Sequence, residues 1–504
     1  MSPEPAPTPL APCPAPFNLA AYVLASAPKV GARAALTIVH GAGDAEVWSY
    51  ARLEAAVRGA ATGFQRAGLV PGQRILLRLG NTPDFPVAFL GAIAAGLVPV
   101  PTSSQLTRAE ITRMCADLAP ALVVAGAGIA LPDDPAPVLN EASLRGFEAL
   151  PPAEYQLGDP NRLAYLIFTS GSSGQARAVM HAHRAIWARR MMHDGWCGLS
   201  ADDRLLHAGA FNWTYTLGTG LMDPWSLGAS ALIPGPGVTP DQLPALLRAH
   251  HATIFAAAPG IYRQMLKTPG DLALPDLRHG LSAGEALPAS VRAAWNAATG
   301  TKIYEALGMS ECSTFISGSP ARPAPEGSAG YPQPGRRVAV LDDAGQPVAP
   351  GTPGVLAVHE SDPGLYLGYW RAPEETAARR SGPWFVTGDM VSMASDGAIT
   401  YLGRDDDMMN AGGYRVSPLE VEAALARHPD AGEVAVIERR VKADASVIAA
   451  YYTGPATPEA MAAHAATCLA RYKQPRIYRA LPALPKNPNG KINRRALRDS
   501  EDKP

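Results

Sequence analysis

Short apolar runs alternate with segments of helical spacing along most of the chain. RILLRL (residues 74–79), ALVVAG (121–126), LAYLIFTS (163–170), ATIFAAAP (252–259) and TKIYEAL (301–307) are short and mostly apolar, the pattern of strands buried on both faces. Between them, TRAEITRMCADLA (107–119) and DQLPALLRAH (241–250) repeat their apolar residues at helical intervals. VAFLGAIAAGLVPVP (87–101) is too short for a bilayer and is broken by Pro99 and Pro101, so it reads as a buried helix running into a strand. From about Arg337 the texture changes: VAVLDDAGQPV, GVLAVHE and GAITYLG alternate and are joined by turn residues, which predicts a β-rich subdomain. A second break, GRDDDMMNAGGYRVSP (403–418), is polar and Gly-rich and precedes the helical pattern PLEVEAALARH. The expected fold is therefore α/β: a large N-terminal domain of mostly parallel sheets flanked by helices plus a β-rich subdomain, then a small α+β C-terminal domain. The expected boundaries are a disordered Pro-rich lead over 1–16, an N-terminal domain over 17–403, a hinge at 404–407 and a C-terminal domain over 408–504.

Composition narrows the function classes. A chain of 504 residues is too long for one ordinary core. A net charge of −1 lacks the basic excess of a nucleic-acid binder. The five cysteines (Cys13, Cys115, Cys197, Cys312, Cys468) lie far apart, which suggests neither a disulfide framework nor a zinc site and suits a reducing cytoplasm. The opening MSPEPAPTPLAPCPAP has neither a basic nor an apolar region and is no signal peptide. No membrane insertion is expected.

Five segments carry candidate chemistry. LIFTSGSSGQARAVMH places Thr169, Ser170, Gly171, Ser172, Ser173 and Gly174 after a buried strand, with Arg177 following. Small residues, hydroxyls, backbone N–H groups and one cation suit a phosphate, and a flexible surface turn is the plain alternative. It is neither a Walker A loop nor GxGxxG. YEALGMSECS ends a strand at Gly308, then offers Met309, Ser310 and Glu311; beside a phosphate the carboxylate would serve a magnesium ion, and otherwise the pair would cap a helix. In FVTGD, Asp389 could accept bonds from a vicinal diol, and the nearby Arg404 and Asp405–Asp407 could equally be a solvated hinge. In PKNPNGKINRR, Lys491 reads by default as an exposed lysine. His181 and His183, in MHAHRAI, lack a companion His or Cys cluster and read as packing at a helix start rather than metal ligands.

The order and spacing of these segments resemble the adenylate-forming superfamily of acyl-CoA synthetases, peptide-synthetase adenylation domains and luciferases. LIFTSGSSGQARAVMH is similar to its phosphate loop, SAGEAL (282–287) to its adenine segment, ALGMSE to its Mg and substrate motif, VTGD with GRDDDMMNAGGYRVSPLEVE to its ribose and hinge block, and PNGKINRR to its C-terminal lysine motif. The resemblance spans about residues 17–500. It implies ATP-dependent activation of a carboxylic acid to acyl-AMP, with pyrophosphate released and the acyl group then passed to coenzyme A. Under it, Thr169 to Gly174 and Arg177 hold the leaving pyrophosphate. Glu311 positions Mg²⁺, Ser310 lies near the α-phosphate, and Gly284, Glu285 and Ala286 meet the adenine. Asp389 takes the ribose, Arg404 the ribose or phosphate region, and Lys491 bridges carboxylate and α-phosphate. The C-terminal domain is mobile and rotates about Asp406, and Gly412 and Gly413 line the CoA tunnel. Expected partners are the acid, ATP and CoA; the resemblance also admits a homodimer.

Two residues depart from the family pattern: Arg177-Ala178 stands where Lys-Gly is usual, and Leu307 where an aromatic is usual. HAGAFNWTYTLGTGLMDPW (207–225) falls where the family builds its acyl pocket; Phe211, Asn212 and Trp213, with Gly308 and Met309, are its candidate walls. These aromatics suit an aryl acid or a medium acyl chain, and the stretch is most similar to benzoate-type and medium-chain CoA ligases; a Trp213 cap would select short acids. Rival expectations are an adenylation enzyme that loads a carrier protein's phosphopantetheine in trans and a catalytically dead nucleotide-binding protein.

Overall fold

The computed structural model describes residues 11–170, 176–268, 270, 272–407, 409–411, 414–442, 445–469, 471–486 and 492–499. The chain forms two compact units, one running to Arg337 and including His359–Arg380, the other comprising Val338–Val358 and the chain from Ser381.

In the first unit a nine-stranded sheet has six parallel strands at its centre, in the order Lys302–Met309, His279–Ala283, Ile254–Ala257, Arg204–His207, Ser230–Pro234 and Ala34–Gly41. Antiparallel strands flank them: Asp44–Ser49 on one side, Ser313–Ser317 and then Tyr331–Pro332 on the other. A second sheet, wholly parallel, orders Val98–Pro101, Arg74–Arg78, Leu122–Ala125 and Val138–Asn140. The apolar run at 87–101 forms the helix Asp84–Ala94, buried on every side, and the strand Val98–Pro101. Thr107 opens the helix Arg108–Leu118 with a capping box, its hydroxyl and the Glu110 carboxylate each taking a backbone N–H of the other. All five runs singled out in the sequence are strands.

LAYLIFTS is followed by a strand rather than a helix. Leu163–Ser170 and Ala176–Ala182 pair antiparallel, from Leu163↔Ala182 to Ser170↔Ala176, and Gly368–Tyr369 adds a third strand. This corrects the expectation of helix-start packing for His181 but not for His183, which lies in the turn leading into the helix Ala185–Ala188. His181 lies within the second strand, and its ring stacks on Tyr165 at 4.6 Å. His183 follows the strand, buried, and its Nδ1 accepts the Leu19 N–H at 3.0 Å. A run of alternating apolar residues after a glycine-rich loop is a hairpin partner, a reading that the helical residues downstream obscured.

In the second unit Val338–Leu341 pairs antiparallel with Pro353–His359, and Trp384–Met393 with Ile399–Arg404, within one five-stranded sheet. Beyond the short 3₁₀ turn Asp405–Asp407, the helices Pro418–Leu425 and Pro458–Cys468 pack on a sheet of Val434–Lys442, Ala445–Tyr452 and Ile477–Ala480. Val421, Leu425, Val436, Ile448, Tyr452 and Met461 form its core. The turn expected as a hinge thus lies inside the second compact unit. Among the described residues no helix is long and apolar enough to cross a membrane.

Candidate active site

In the first unit the candidate groups gather around the turn Ser310–Cys312, between the antiparallel strands Lys302–Met309 and Ser313–Ser317. Ser310 therefore caps no helix. Gly308 is demanded by this hairpin, since a Cβ there would lie 2.6 Å from the Ser313 carbonyl oxygen. The turn is held from several sides. The Tyr366 N–H donates to the Glu311 carbonyl at 2.7 Å, and Arg336, itself paired with Asp362 at 2.6 Å, donates to the Thr314 carbonyl at 3.1 Å. Arg189 donates to the Ser313 hydroxyl. Ser313 has a φ of +64°, in the left-handed region that a non-glycine residue keeps only when its surroundings hold it there.

The Glu311 side chain is buried, and its Oε1 accepts a 2.6 Å hydrogen bond from the Tyr369 hydroxyl. Burial first and the neighbouring carboxylate second push the Tyr369 phenol well above its ordinary range, so it remains a donor. The ring of Tyr369 also lies 5.5 Å from the Arg177 guanidinium, and Arg177 forms an ion pair with Glu375. Glu311, Tyr369, Arg177 and Glu375 thus form one chain in which a neutral phenol links a carboxylate to an ion pair. Thr169 pairs with Arg177 across the hairpin, so both stand at its end. Gly171, Ser172, Ser173 and Gly174 lie outside the described residues.

The strand His279–Ala283 runs into Gly284, Glu285 and Ala286, a partly exposed rim. Gly284 has a φ of +98°, and a Cβ there would come within 2.8 Å of the Trp213 ring. Trp213 is half-buried and meets Tyr215 edge-on at 5.2 Å. Asn212 is half-buried beside it, as are Gly308 and Met309 on their strand. Phe211 is placed elsewhere: it is buried in the main core and stacks on Phe85 at 5.1 Å.

Next to Ser310 a cavity is lined by Tyr165, His181, Arg189, Thr214, Gly218 and Ser313, among others. Its floor is a feature not anticipated from the sequence. Arg189, buried, donates from Nε and Nη2 to the two oxygens of Asp223 at 2.7 and 2.6 Å and from Nη2 to Thr219 at 3.1 Å. Burial opposes ionisation of Asp223, yet Arg189 and His193 outweigh it and hold the carboxyl down to about 2. Gly218, in the π-helical segment Thr216–Met222, makes room for this guanidinium, for a Cβ there would sit 2.3 Å from its central carbon. The residues responsible are 34 positions apart, Arg189 in a turn between two short helices and Asp223 at the start of another, which gave no local signal.

In the second unit Asp389 and Arg404 face each other in register on paired strands. Arg404 donates from Nη1 to Asp389 Oδ1 and to the Thr387 carbonyl, each at 3.1 Å, and the Tyr401 hydroxyl donates to the same Oδ1 at 3.4 Å. Burial raises the Asp389 carboxyl above its ordinary value despite Arg404 and Tyr401. The strand continues through Asp389 to Met393. Asp406 lies in the 3₁₀ turn. Glu422, buried, takes two bonds from Arg494 at 2.7 and 2.8 Å and so ties the helix Pro418–Leu425 to Arg494–Asp499. Lys491, Gly412 and Gly413 lie outside the described residues; Lys486 and Ile492, which bracket the lysine segment, pair as an antiparallel bridge.

The AMP-binding enzyme family matches residues 25–370, and the AMP-binding enzyme C-terminal domain matches residues 420–491. The chain is 32% identical to the benzoate–CoA ligase of Thauera aromatica, over 86% of this chain and 87% of that one. Its fold superposes on a benzoate CoA ligase from Burkholderia xenovorans LB400 with a TM-score of 0.85 at 28% identity, covering 96% of this chain and 100% of that one. ATP-bound MatB from Rhodopseudomonas palustris gives a TM-score of 0.87 at 26% identity, covering 96% and 99%. The chain belongs to the AMP-binding enzyme family, the adenylate-forming ligases.

Proposed function

We propose that this ligase acts on an aromatic carboxylic acid. The enzyme is an acid–thiol ligase: it uses ATP to activate a carboxylic acid as the acyl adenylate, releasing pyrophosphate, and transfers the acyl group to coenzyme A. The carrying observation is the cluster of Arg177, Tyr369 and buried Glu311 beside Ser310, a cation and an anchored carboxylate at the end of a glycine-rich hairpin. The aryl preference is supported by the relatives named above and by the Trp213–Tyr215 wall against Gly284.

In this reading the segment from Thr169 to Gly174 and Arg177 orient the β- and γ-phosphates, and Ser310 lies at the α-phosphate. Gly284 to Ala286 border the adenine. Asp389 takes the ribose hydroxyls, with Arg404 steadying its carboxylate. Lys491 offsets the charge that develops as the acid attacks the α-phosphate, an electrostatic contribution typically worth about 10²–10³ in rate. Gly412 and Gly413 line the path of the thiol, and 404–407 is the hinge between the domains at 17–403 and 408–504. Glu311 fits a magnesium ion: Mg²⁺ commonly takes one or two carboxylates together with substrate phosphates and water, and this buried carboxylate is held at a single oxygen. A magnesium ion bound there would neutralise phosphate charge. All five cysteines are free, which supports a cytoplasmic setting.

The test is acid-dependent pyrophosphate release with ATP and Mg²⁺ over aromatic, short and medium-chain acids, with and without CoA. Sustained, CoA-dependent turnover that peaks on an aromatic acid is expected. Preference for an aliphatic acid overturns the aryl assignment, and a single turnover despite CoA points to a carrier-protein thiol as acceptor.

A further inference from the structure

The segment 208–213 joins the strand Arg204–His207 to the helical turn that carries Tyr215, and it belongs to no strand or helix itself. Its backbone polar groups therefore have no ladder to pair with and need partners from elsewhere. One side chain from the other sheet of this unit answers two of them. Asn81 donates from Nδ2 to the Gly209 carbonyl at 3.0 Å and to the Pro234 carbonyl at 3.1 Å, while its Oδ1 accepts the Phe211 N–H at 3.0 Å. Two carbonyls on the nitrogen and one N–H on the oxygen fix which way the amide faces.

Asn81 stands on a rigid mount. It follows the strand Arg74–Arg78 in a turn closed by bonds from the Thr82 N–H to the Gly80 carbonyl and from the Phe85 N–H to the Thr82 carbonyl. The buried helix Asp84–Ala94 comes next, and its Phe85 ring stacks on Phe211. Phe211 is thus gripped twice from one turn, by its N–H and by its ring. Gly209 is equally confined, since a Cβ there would lie 2.2 Å from Thr216 Oγ1 and 3.0 Å from His207 Cε1. Two residues beyond Phe211 comes Trp213, whose N–H donates to the Ala210 carbonyl at 3.0 Å and whose ring packs against Gly284. The bonds to 209 and 211 therefore hold the turn that ends in the Trp213 indole.

We infer that Asn81 is a positioning residue for the acid-binding wall: it holds the loop 209–213, fixes where the Trp213 ring stands, and so sets how sharply the enzyme discriminates among acids. This rests on Trp213 bordering the acid in the ligase proposed above. A hydrophobic pocket separates homologous acids only by the fit of its walls, so a loop free to shift loses that discrimination.

The experiment measures kcat/KM for benzoate, 2-naphthoate, cyclohexanecarboxylate, hexanoate and octanoate with the full chain, ATP, Mg²⁺ and CoA, and separately KM for ATP. Trp213→Ala gives the selectivity of a pocket without this wall. Asn81→Ala and the nearly isosteric Asn81→Asp, which keeps an acceptor for Phe211 but loses both donors, should carry the ratio of best to poorer acids most of the way to that value. KM for ATP should change by less than about twofold, a split that general loss of structure would not produce. In the double variant Asn81→Ala with Trp213→Ala, the ratio should equal that of Trp213→Ala alone, because Asn81 acts through the ring. Unchanged ratios in both Asn81 variants, or an equal fall in rate for every acid, overturn the inference. Failure of both Asn81 variants to fold makes the residue a purely structural one and overturns it too. Trp213→Ala on the otherwise unaltered chain needs no Asn81 variant, and a ratio that it leaves unchanged removes the wall that Asn81 is said to hold. Absence of turnover by the unaltered chain with every acid overturns instead the ligase reading.

Discussion

The Tyr369 hydroxyl donates a 2.6 Å hydrogen bond to Glu311 while its ring lies under the Arg177 guanidinium, so one side chain sets both a carboxylate and a cation. In the proposed site Tyr369 would therefore act as a positioning residue for the phosphate end. Hydrogen bonds to a charged group contribute about 1.5–3 kcal/mol. Tyr369→Phe should lower kcat/KM for ATP by roughly 10- to 100-fold. It should also raise the magnesium concentration needed for half-maximal rate, which a merely structural role would leave unmoved. Steady-state pyrophosphate release across a magnesium titration reads both quantities.

Arg177 is paired with Glu375, and a triphosphate at the proposed phosphate site would compete with that carboxylate. Glu375 is about half exposed, so the pair is weak, worth roughly 0.2–1 kcal/mol. Glu375→Gln should lower KM for ATP by about two- to fivefold with kcat little changed. An increase in KM would show instead that Glu375 orients Arg177 for binding.

Asp223 and Arg189 form a buried pair 2.6 Å apart. Asp223→Asn leaves a buried guanidinium unpaired and should destabilise the first unit by about 3–5 kcal/mol near neutral pH, measured by denaturant unfolding. Replacing both partners, as Arg189→Met with Asp223→Leu, should recover most of that loss. The pH dependence follows from the carboxyl being held at about 2, below its ordinary 3.8. The native state then binds fewer protons at this site than the unfolded chain. Its stabilisation is complete above about pH 4 and is lost as pH falls through the interval toward 2. The double variant should lack that acid-side slope.

The proposed roles of Lys491 and Gly413 separate the two half-reactions. Lys491→Ala should lower acid-dependent pyrophosphate release by about 10²-fold or more while sparing thioester formation from preformed acyl adenylate. Gly413→Leu should do the reverse, blocking CoA turnover yet keeping pyrophosphate exchange. Equal loss of both half-reactions in either variant contradicts the division of labour.

Much of this protein was legible in the chain itself. Strand runs such as ALVVAG and helix starts such as Thr107-x-x-Glu110 are local: period and capping chemistry act within a few residues, and the structure has them where the sequence places them. The motifs around Thr169, Ser310 and Asp389 were equally visible, because glycine, hydroxyl and carboxylate side by side are chemistry written in order. Only the tertiary structure decided what answers them. Tyr369 lies 58 residues from Glu311, Asp223 lies 34 from Arg189, and Tyr165 meets His181 across a hairpin read in the sequence as strand and then helix. It also placed Phe211 in the core rather than at the site and showed that Gly308 is required by close hairpin packing. Local propensity depends on neighbours along the chain, whereas the pairing of a buried charge or the stacking of His181 on Tyr165 depends on which distant surfaces the fold brings together.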